Sequence, residues 1–468
     1  MASRLTTPDI VELLGLQLAP IDLSADSTDS AEAASRSRGH VEIEPYVPNV
    51  SALIPEDLPA GEGEVVGEKL TRNQSANKRR KARARKKRER EDELRAEGAT
   101  QLLGSLYRTS PNQIHTYRVR RQPELLSRLQ ELEAQNQAPL QMDDPDFPRD
   151  DLQWIIGSNE PTWHYVVDEV LDEVVLAVKI TPWNSFPPVR RNKIQTNLGT
   201  AMDWSRCAHV IKTNSSQTKT QHGTGEAITI KRRGRMYAIG WHSSMEKNKD
   251  LVFYAGDRAS VELYHETIQR LPVLADMYRE HFFYLLPGAA QEMVDVAEEL
   301  DIPSFSQLAL DGDDAERPFA NCLTLTNNDF ANALHRDKDF SLLAFGMWWV
   351  TRVRREGHHD IYEFDPSLDH DSVKGGAFVL GEFGIGVDFQ RAGGLVEIFW
   401  RGKQDWHVTM QSKAKPGCTR WGTSVQLTSK GVNAVKRYHK RGSKPSRTTS
   451  AFDRVETMQN AAAKKKKK

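Results

Sequence analysis

The sequence predicts an α+β protein whose second half folds as a β-sandwich or jelly roll, and three observations predict this. The run from Val174 to Ile180 is apolar, is bounded by Pro182 and is typical of a buried strand. Residues 259–286 have helical periodicity, which we interpret as a helical pair broken near Pro272. After Pro318 short apolar runs alternate with Gly-rich turns, which is typical of sandwiches and jelly rolls. The candidate strands there are 321–326, 342–350, 376–380, 394–400, 405–410 and 420–428.

The order of segments along the chain predicts five parts. Residues 1–76 are acidic and rich in Ser, Ala and Pro, so we expect a disordered leader. Residues 77–149 are first basic and then helical, with Leu125, Leu129 and Leu132 at helical spacing. The folded domain is expected to start near residue 150, with an N-terminal part over 150–318 and the β-rich core over 319–436. Residues 437–468 are expected to form a basic, disordered tail.

The net charge conceals a strong segregation of charge. The 468 residues include 64 Lys and Arg and 64 Asp and Glu, yet residues 71–95 hold 12 basic and 4 acidic side chains, and residues 401–468 hold 18 and 3. The dense run from Lys78 to Arg90 is typical of nuclear import signals and of nucleic-acid tethers. We therefore expect a nuclear protein with a polyanionic partner.

Other classes of protein are disfavoured by what the sequence lacks. The cysteines, Cys207, Cys322 and Cys418, are far apart, so neither a zinc finger nor a disulfide scaffold is expected. No run of about 18 apolar residues occurs, and we expect no membrane association. The N-terminus lacks the basic and then apolar pattern of a signal peptide.

A group of possible metal ligands lies in the β-rich half. His335 and Asp337 are two residues apart, and in an extended chain such residues point to the same side, so both can reach one metal ion. Mononuclear iron centres use two His and one carboxylate and leave other positions open. His407, within a candidate strand, supplies the second His. A zinc hydrolase is the main alternative for this ligand set. We interpret the remaining nearby imidazoles as loop residues: His358, His359 and His370.

Arg420 follows His407 by 13 residues and suits a dicarboxylate cosubstrate. A guanidinium offers a carboxylate two parallel donors, and the hydroxyl of Thr423 or Ser424 would add a further one. Arg401 is a weaker rival, because its position before Gly402 indicates a turn-exposed residue. The pattern as a whole favours an iron and 2-oxoglutarate site.

Further sequence segments around these motifs are also informative, and together they lie within about a quarter of the chain. Over residues 319–434 the sequence resembles the Tet/J-binding-protein family of nucleic-acid dioxygenases, specifically its fungal branch. The strings that carry the resemblance are Asn332–Asp339, Phe345–Trp349, Lys374–Phe378, Gly384–Phe389, Val396–Gly402, His407–Thr409 and Thr423–Thr428, with Gly234–Trp241 as an element upstream.

The resemblance implies a double-stranded β-helix dioxygenase core with flanking helices. Fe(II) would be held by His335, Asp337 and His407, and 2-oxoglutarate would bind the iron and lay its distal carboxylate on Arg420. Dioxygen is the other cosubstrate. Members of the family oxidise the methyl group of 5-methylcytosine to hydroxymethyl, formyl and carboxyl, and J-binding members oxidise the methyl group of thymine.

The predicted substrate is a methylated base in double-stranded DNA, flipped out of the duplex. Asp339 shares the expected strand face of His335 and could accept from an exocyclic amino group, or it is a surface acid. Asn332 could orient the cosubstrate or the base, or cap a turn. A predicted hairpin of residues 226–230 and 236–241 has a basic tip, and a second basic cluster follows Pro187 and Pro188. The candidate phosphate contacts are Arg190, Arg191, Lys231, Arg232, Arg233 and Arg235.

The leading expectation is oxidation of 5-methylcytosine, and several alternatives stay open. N6-methyladenine demethylation uses the same mechanism, because that base also carries an exocyclic nitrogen near its methyl group. Thymine hydroxylation is a weaker alternative. A chromatin-binding module without catalysis, or a protein hydroxylase, would use the same basic segments differently.

Overall fold

The computed structural model describes residues 113–211, 216–220, 227–257, 260–310, 318–357 and 359–466. The expected leader and the basic run from Lys78 to Arg90 lie outside these ranges. No helix within the ranges is both long and apolar enough to cross a bilayer. The described helices are α1 (Pro123–Asn136), α2 (Pro188–Cys207), α3 (Val261–Leu285), α4 (Pro287–Glu299), α5 (Ser429–Lys440) and α6 (Ala451–Lys466).

The described strands form two large sheets and two small pairs. In chain order they are β1 (Ile114–Val119), β2 (Gln153–Ile155), β3 (Thr162–Asp168), β4 (Glu173–Thr181), β5 (Ser216–Thr220), β6 (Ala227–Lys231), β7 (Arg233–Ser243), β8 (Leu251–Phe253), β9 (Cys322–Ala331), β10 (Ala344–Glu356), β11 (His359–Glu363), β12 (Val373–Gly375), β13 (Phe378–Leu380), β14 (Ile385–Val387), β15 (Leu395–Trp400), β16 (His407–Thr409), β17 (Ser412–Ala414), β18 (Cys418–Gln426) and β19 (Thr448–Thr449).

The major sheet has the order β1-β3-β4-β15-β10-β18-β9-β7-β8-β19, with β11 paired to β10, and the minor sheet has the order β16-β13-β14-β2. The candidate strands of the β-rich half correspond to β9, β10, β13, β15, β16 and β18. The prediction of an α+β protein with a jelly-roll core is thereby confirmed. Strands β3 and β4 belong to the same sheet as β10 and β15, so this sheet crosses the expected boundary at residue 318.

The two faces of the major sheet bury different partners, because side chains alternate along each strand. On β10, Phe345 and Trp349 pack with the helices, whereas Trp348 points between the two sheets. On β15, Phe399 packs on the helix side and Trp400 between the sheets. The apolar space between the sheets is closed by residues of the minor sheet, including Phe378, Leu380 and Ile385. This layer is the interior of the jelly roll.

The folded domain begins earlier than the expected residue 150. Strand β1 pairs in parallel with β3, and α1 lays Leu125 and Leu129 on the outer face of the minor sheet against Val379 and Val408. The strand was missed because Ile114–Val119 reads IHTYRV, in which only Thr116 is fully buried. Residues 113–149 are therefore part of the domain rather than a separate tether.

Two further expectations on local structure are wrong. The segment 226–230 does not form a hairpin with 236–241, because β6 pairs with β5 while β7 pairs with β8 and β9. Helix α3 is a single helix of 25 residues that contains Pro272. It is not broken there, because its apolar side chains on both sides of the proline, such as Ile268 and Leu274, are fully buried against the sheet.

The C-terminal segment is also more ordered than expected. We expected a disordered tail from residue 437, but α5 extends to Lys440 and is followed by β19 and α6. Ala451, Val455 and Met458 recur at helical spacing on α6 and are buried in the main core. These few apolar residues were hidden by the many Lys and Arg residues around them, yet they suffice to dock the helix.

A buried imidazole in β3 makes the stability of this fold sensitive to acid. His164 is 3% exposed, shares hydrogen bonds of 3.0 Å with the Tyr117 hydroxyl and the Thr162 hydroxyl, and burial lowers its pKa to about 3. The unfolded chain takes up a proton near pH 6.5 and the folded chain does not, so stability present above that pH is lost as the pH falls.

We expect His164→Gln to flatten the dependence of the free energy of unfolding on pH between about pH 6 and pH 4, by about 1.4 kcal/mol per pH unit. Urea denaturation of both proteins at several pH values measures this. Parallel pH profiles for the wild-type protein and the variant would contradict the neutral, buried state of His164.

Candidate metal centre and cosubstrate site

Two main-chain hydrogen bonds join the segment after β9 to the start of β16. The N–H of His335 donates to the carbonyl of His407 over 2.9 Å, and the N–H of His407 donates to the carbonyl of His335 over 2.8 Å. This isolated antiparallel bridge places the two residues directly opposite each other. Asp337 is held beside them because its N–H donates to the Gly402 carbonyl over 2.8 Å.

The three side chains converge on one point, as the sequence predicted. Asp337 Oδ1 is 3.4 Å from His335 Nε2, and Asp337 Oδ2 is 3.5 Å from His407 Nε2. The ligand atoms of all three residues lie within 4.8 Å of one another. Ligand atoms about 2.1 Å from a metal ion and at right angles to each other are about 3 Å apart, so this spacing suits a common ion.

Hydrogen bonds to the main chain fix which nitrogen of each imidazole faces the ion. His335 Nδ1 lies 2.9 Å from the Ala333 carbonyl, and His407 Nδ1 lies 3.0 Å from the Asp405 carbonyl. A carbonyl only accepts, so each Nδ1 carries the proton and each Nε2 presents a lone pair to the site. Burial lowers the pKa of His407 to about 4, which keeps this imidazole neutral at neutral pH. Burial by itself raises the pKa of the Asp337 carboxyl, but its interactions with the His407 and His335 rings outweigh this effect and lower the pKa.

The donor set therefore fits a divalent metal of the iron type. Two imidazole nitrogens and one carboxylate on one side of an ion are the ligands of mononuclear iron oxygenases. Within the described ranges, this is the one group of three or more His, Cys, Asp or Glu side chains that converges in this way. The Trp400 indole N–H is buried without a hydrogen-bond partner, and the ring centres of Trp400 and His407 are 5.9 Å apart. An oxygen of a metal-bound ligand would satisfy this donor.

Gly402 allows the close approach of these groups. A Cβ atom at this position would lie 2.5 Å from Asp337 Oδ2 and 3.1 Å from Trp400 Nε1. Any side chain would therefore displace the carboxylate ligand or the indole.

The segment 113–149 supports the ligands from outside, which the sequence did not indicate. Glu133 of α1 is fully buried, and its Oε1 accepts from the N–H of Leu334, the neighbour of His335, over 2.8 Å. Arg121 forms ion pairs with Glu382 and with Asp405, whose own carbonyl orients His407. No sequence signal relates Glu133 to Leu334, because the two residues are 201 positions apart.

Arg401 belongs to the same support and is not available to a cosubstrate. It is 4% exposed, so its expected position on an exposed turn is wrong. Its Nε and Nη2 donate to both carboxylate oxygens of Asp405 at 2.7 and 3.1 Å, and its Nη1 donates to Glu173 over 2.7 Å. Carboxylates of the protein therefore hydrogen-bond to two edges of this guanidinium and neutralise its charge.

Arg420 has a different environment, since its partners are neutral. Its Nη1 donates to the Gly375 carbonyl over 2.7 Å, and its Nη2 donates to the carbonyls of His370 and Val373 over 3.1 and 2.8 Å. Its Nε donates to His370 Nδ1 over 3.2 Å. These bonds use four of the five N–H groups of the guanidinium and leave one on Nη1. The absent side chain of Gly376 leaves room there, since a Cβ would lie 2.5 Å from Nη1.

Arg420 is a buried cation for which the described residues provide no ion pair. Burial lowers its pKa to about 9, and the nearest acidic groups counter this only in part. The side chain is still charged at neutral pH and lacks a carboxylate of the kind that Arg401 has. His370, which we expected in a loop, is fully buried beside it, and burial together with the charge of Arg420 holds the pKa of His370 well below its usual range.

The remaining site candidates occupy three different settings. Asn332 is tied to β16, because its Oδ1 accepts from the N–H of Thr409 over 2.8 Å and its own N–H donates to the Thr409 carbonyl over 3.1 Å. Ser424 is half-buried on β18 and shares a hydrogen bond of 3.2 Å with Gln426 Oε1. Asp339 is half-buried, and burial and the charge of Asp337 raise its pKa well above the usual value.

The predicted phosphate contacts are only partly free. Arg190 is 3.6 Å from Glu280, and Arg235 is 3.3 Å from Asp360. Arg232 is half-buried, and its Nη2 donates to the Ile211 carbonyl over 2.7 Å, so it serves the fold. Arg191 is half-buried at the start of α2. Lys231 and Arg233 are exposed, and Arg233 pairs in register with Ala331, four residues before His335.

Comparison with known proteins agrees with this geometry. Residues 188–412, about half of the chain, match the family described as the Tet-like 2OG-Fe(II) oxygenase superfamily. The matched range contains all three proposed iron ligands and ends before Arg420. No curated protein matches the sequence.

A crystal structure of a dioxygenase for auxin oxidation from rice is 12% identical and covers 52% of this chain and 71% of its own, with a TM-score of 0.21. At that score the likeness carries no argument. The matched family, the jelly-roll core and the convergent His, Asp and His side chains agree with one another. The protein is a 2-oxoglutarate- and Fe(II)-dependent oxygenase that belongs to the Tet-like superfamily.

Proposed function

We propose that this oxygenase acts on a methylated base in double-stranded DNA and that 5-methylcytosine is its main substrate, oxidised to the hydroxymethyl, formyl and carboxyl forms. The position of Asp339 carries this proposal. Asp339 follows the ligand Asp337 by two residues, is half-buried, and lies close enough to Asp337 for the two charges to interact. A carboxyl group at this point can accept a hydrogen bond from the exocyclic amine of a cytosine whose methyl group faces the metal.

A base in a duplex reaches such a site only when it is flipped out, at a cost of a few kcal/mol. Contacts to the phosphate backbone would offset this cost and fix the register of the DNA. Lys231 and Arg233 are exposed, and Arg233 pairs with the end of β9 that precedes the metal ligand His335. We propose that both cations contribute to these contacts. Nuclear localisation through the basic run from Lys78 to Arg90 is part of the same proposal.

The roles of the chain's own residues follow from their settings. Fe(II), when bound with 2-oxoglutarate and dioxygen, supplies the oxidising power that converts a methyl C–H bond to C–OH while 2-oxoglutarate becomes succinate and carbon dioxide. His335, Asp337 and His407 would hold the ion, and the buried indole N–H of Trp400 would be available to one of its other ligands. Arg420 would provide the charge that the distal carboxylate of 2-oxoglutarate requires, and the N–H on Nη1 that the protein does not use would be available to that group.

N6-methyladenine is the second candidate substrate, because its exocyclic nitrogen is also next to its methyl group and would meet Asp339 in the same way. Thymine has a carbonyl at the equivalent position and therefore offers no N–H from which an Asp339 oxygen could accept. A binding module without catalysis is disfavoured, because the His, Asp and His ligands and their supporting hydrogen bonds are complete.

Arg420→Ala should raise the KM for 2-oxoglutarate by about 100-fold, since a buried charge pair contributes roughly 3 kcal/mol when one partner is removed. The KM for DNA should change little. Steady-state succinate production against 2-oxoglutarate concentration measures the effect, with Arg355→Ala as an exposed control. A KM for 2-oxoglutarate that does not change in a folded Arg420 variant would assign the cosubstrate to another residue.

Turnover on matched duplexes tests the proposed substrate. The protein with Fe(II) and 2-oxoglutarate should convert a duplex with 5-methylcytosine faster than one with N6-methyladenine or unmodified thymine, as measured by mass spectrometry of the nucleosides. Asp339→Ala should reduce product from 5-methylcytosine by about tenfold or more, which corresponds to one hydrogen bond to the base.

The Asp339 variant should still convert 2-oxoglutarate to succinate in the absence of base oxidation. Retained succinate release would show that the variant has lost recognition of the base and not the metal. Loss of the methyl group from adenine as the main reaction would favour the second candidate. Succinate release without product from any duplex would contradict a DNA substrate.

A further inference from the structure

The residues of helix α5 and of the turn after it carry charge of one sign. Residues 429–447 contain seven Lys and Arg side chains and no Asp or Glu. The helix buries Val432, Val435 and Tyr438 and exposes its cations. We call the four exposed residues that carry the following argument the α5 cations: Lys430, Lys436, Arg437 and Lys440.

The α5 cations share one side of the helix. With 3.6 residues per turn, their positions fall within an arc of about 120°. An amphipathic helix needs polar residues on its outer side, but neutral or mixed charges would serve that purpose equally well. Four positive charges in one arc repel one another, so the surface is less stable alone than with an anion next to it.

Several exposed arginines elsewhere on the described surface are paired with acids. Arg128, Arg352 and Arg354 each form an ion pair with an Asp or Glu. At the end of α5, Arg441 is 2.7 Å from Asp250. The α5 cations have no such carboxylate partner within the described ranges. Lys436 contacts only a ring, with its Nζ 4.6 Å from the centre of the Phe340 side chain.

The α5 cations begin next to the metal site. The Ser429 hydroxyl, in the first turn of α5, donates to the carbonyl of Lys338 over 2.7 Å, and Lys338 follows the ligand Asp337 directly. The N–H of Phe340 donates to the Leu427 carbonyl over 2.8 Å, which ties the same loop to the end of β18. Lys338 and Lys403 are exposed near this junction. From here the helix of 12 residues continues for about 18 Å, and the α5 cations cover about 15 Å of that length.

We propose that the α5 cations bind the phosphate backbone of the duplex from which the target base is flipped. One strand of DNA presents a phosphate every 3.4 Å or so along the helix axis, so the α5 cations, which span about 15 Å from Lys430 to Lys440, extend over about four phosphates of one strand. The proposal rests on the proposed DNA substrate and adds the surface that holds it. The α5 cations are part of the excess of positive charge in residues 401–468, and the proposal assigns them a role beside the active site.

The test compares two quadruple variants of the full-length protein. The first is Lys430→Gln, Lys436→Gln, Arg437→Gln and Lys440→Gln. The control removes four exposed cations near the opposite end of β10 and β18, which is the end at which Arg352 pairs with Cys418. Its substitutions are Arg354→Gln, Arg355→Gln, Lys413→Gln and Lys415→Gln. Both variants lower the net charge equally, and thermal melting checks that both remain folded.

Fluorescence anisotropy with a labelled, unmodified duplex at several salt concentrations gives the slope of log K against log salt. Each phosphate contact contributes about 0.9 to this slope, so the α5 variant should have a slope lower by about 3 to 4, whereas the control should differ from wild type by less than 1. Because the duplex carries no substrate base, binding is measured whether or not the protein oxidises DNA.

The outcomes separate this proposal from the proposed function. An α5 variant with the wild-type slope would overturn the proposal even if 5-methylcytosine is oxidised. A reduced slope together with no oxidation of any DNA base would support the binding surface and reject the substrate. A loss of binding confined to single-stranded RNA or to vesicles of phosphatidylserine, with duplex binding unchanged, would also overturn it.

Discussion

The active site depends on the pair of main-chain hydrogen bonds between His335 and His407. These residues are far apart in sequence, and the bridge sets the distance between their Cα atoms without using either imidazole. The side chains are then free to turn their Nε2 atoms to a metal while each Nδ1–H is held by a carbonyl. Asp337 joins them through its own bond to Gly402, so main-chain pairing places all three ligands.

The arginines near the site differ in whether a carboxylate of the protein compensates their charge. Those with a carboxylate partner support the fold, and the one without such a partner is available to a ligand. Around His407, Arg401 and Arg121 are matched by Asp405, Glu173 and Glu382, and these ion pairs maintain the geometry of the site. Arg420 is equally buried but is surrounded by carbonyl oxygens. A buried cation without an ionic partner is costly to keep unless an anion completes it, and a dicarboxylate cosubstrate supplies that anion.

The sequence predicted the parts of this structure that are encoded locally. The short strands of the β-rich half follow from alternation and are confirmed. The spacing of His335, Asp337 and His407 follows from the ligand needs of iron, and the three side chains converge in the structure, while their role as ligands stays a prediction. Strand β1 was missed because its residues are mostly half-buried and alternate weakly. The contact between Glu133 and Leu334 depends on tertiary packing alone. The polar neighbours of His370 predict a loop residue, although the fold buries this side chain completely.

Binding of Fe(II) under anaerobic conditions tests the central account most directly, because it measures the ligand set without turnover. Equilibrium dialysis should show one Fe(II) per wild-type chain, and His335→Ala, Asp337→Ala and His407→Ala should each weaken binding by about 100-fold or more. His359→Ala, which changes an exposed imidazole, should bind as wild type does. Unchanged Fe(II) affinity in any of the three ligand variants, with the fold intact, would contradict the assignment.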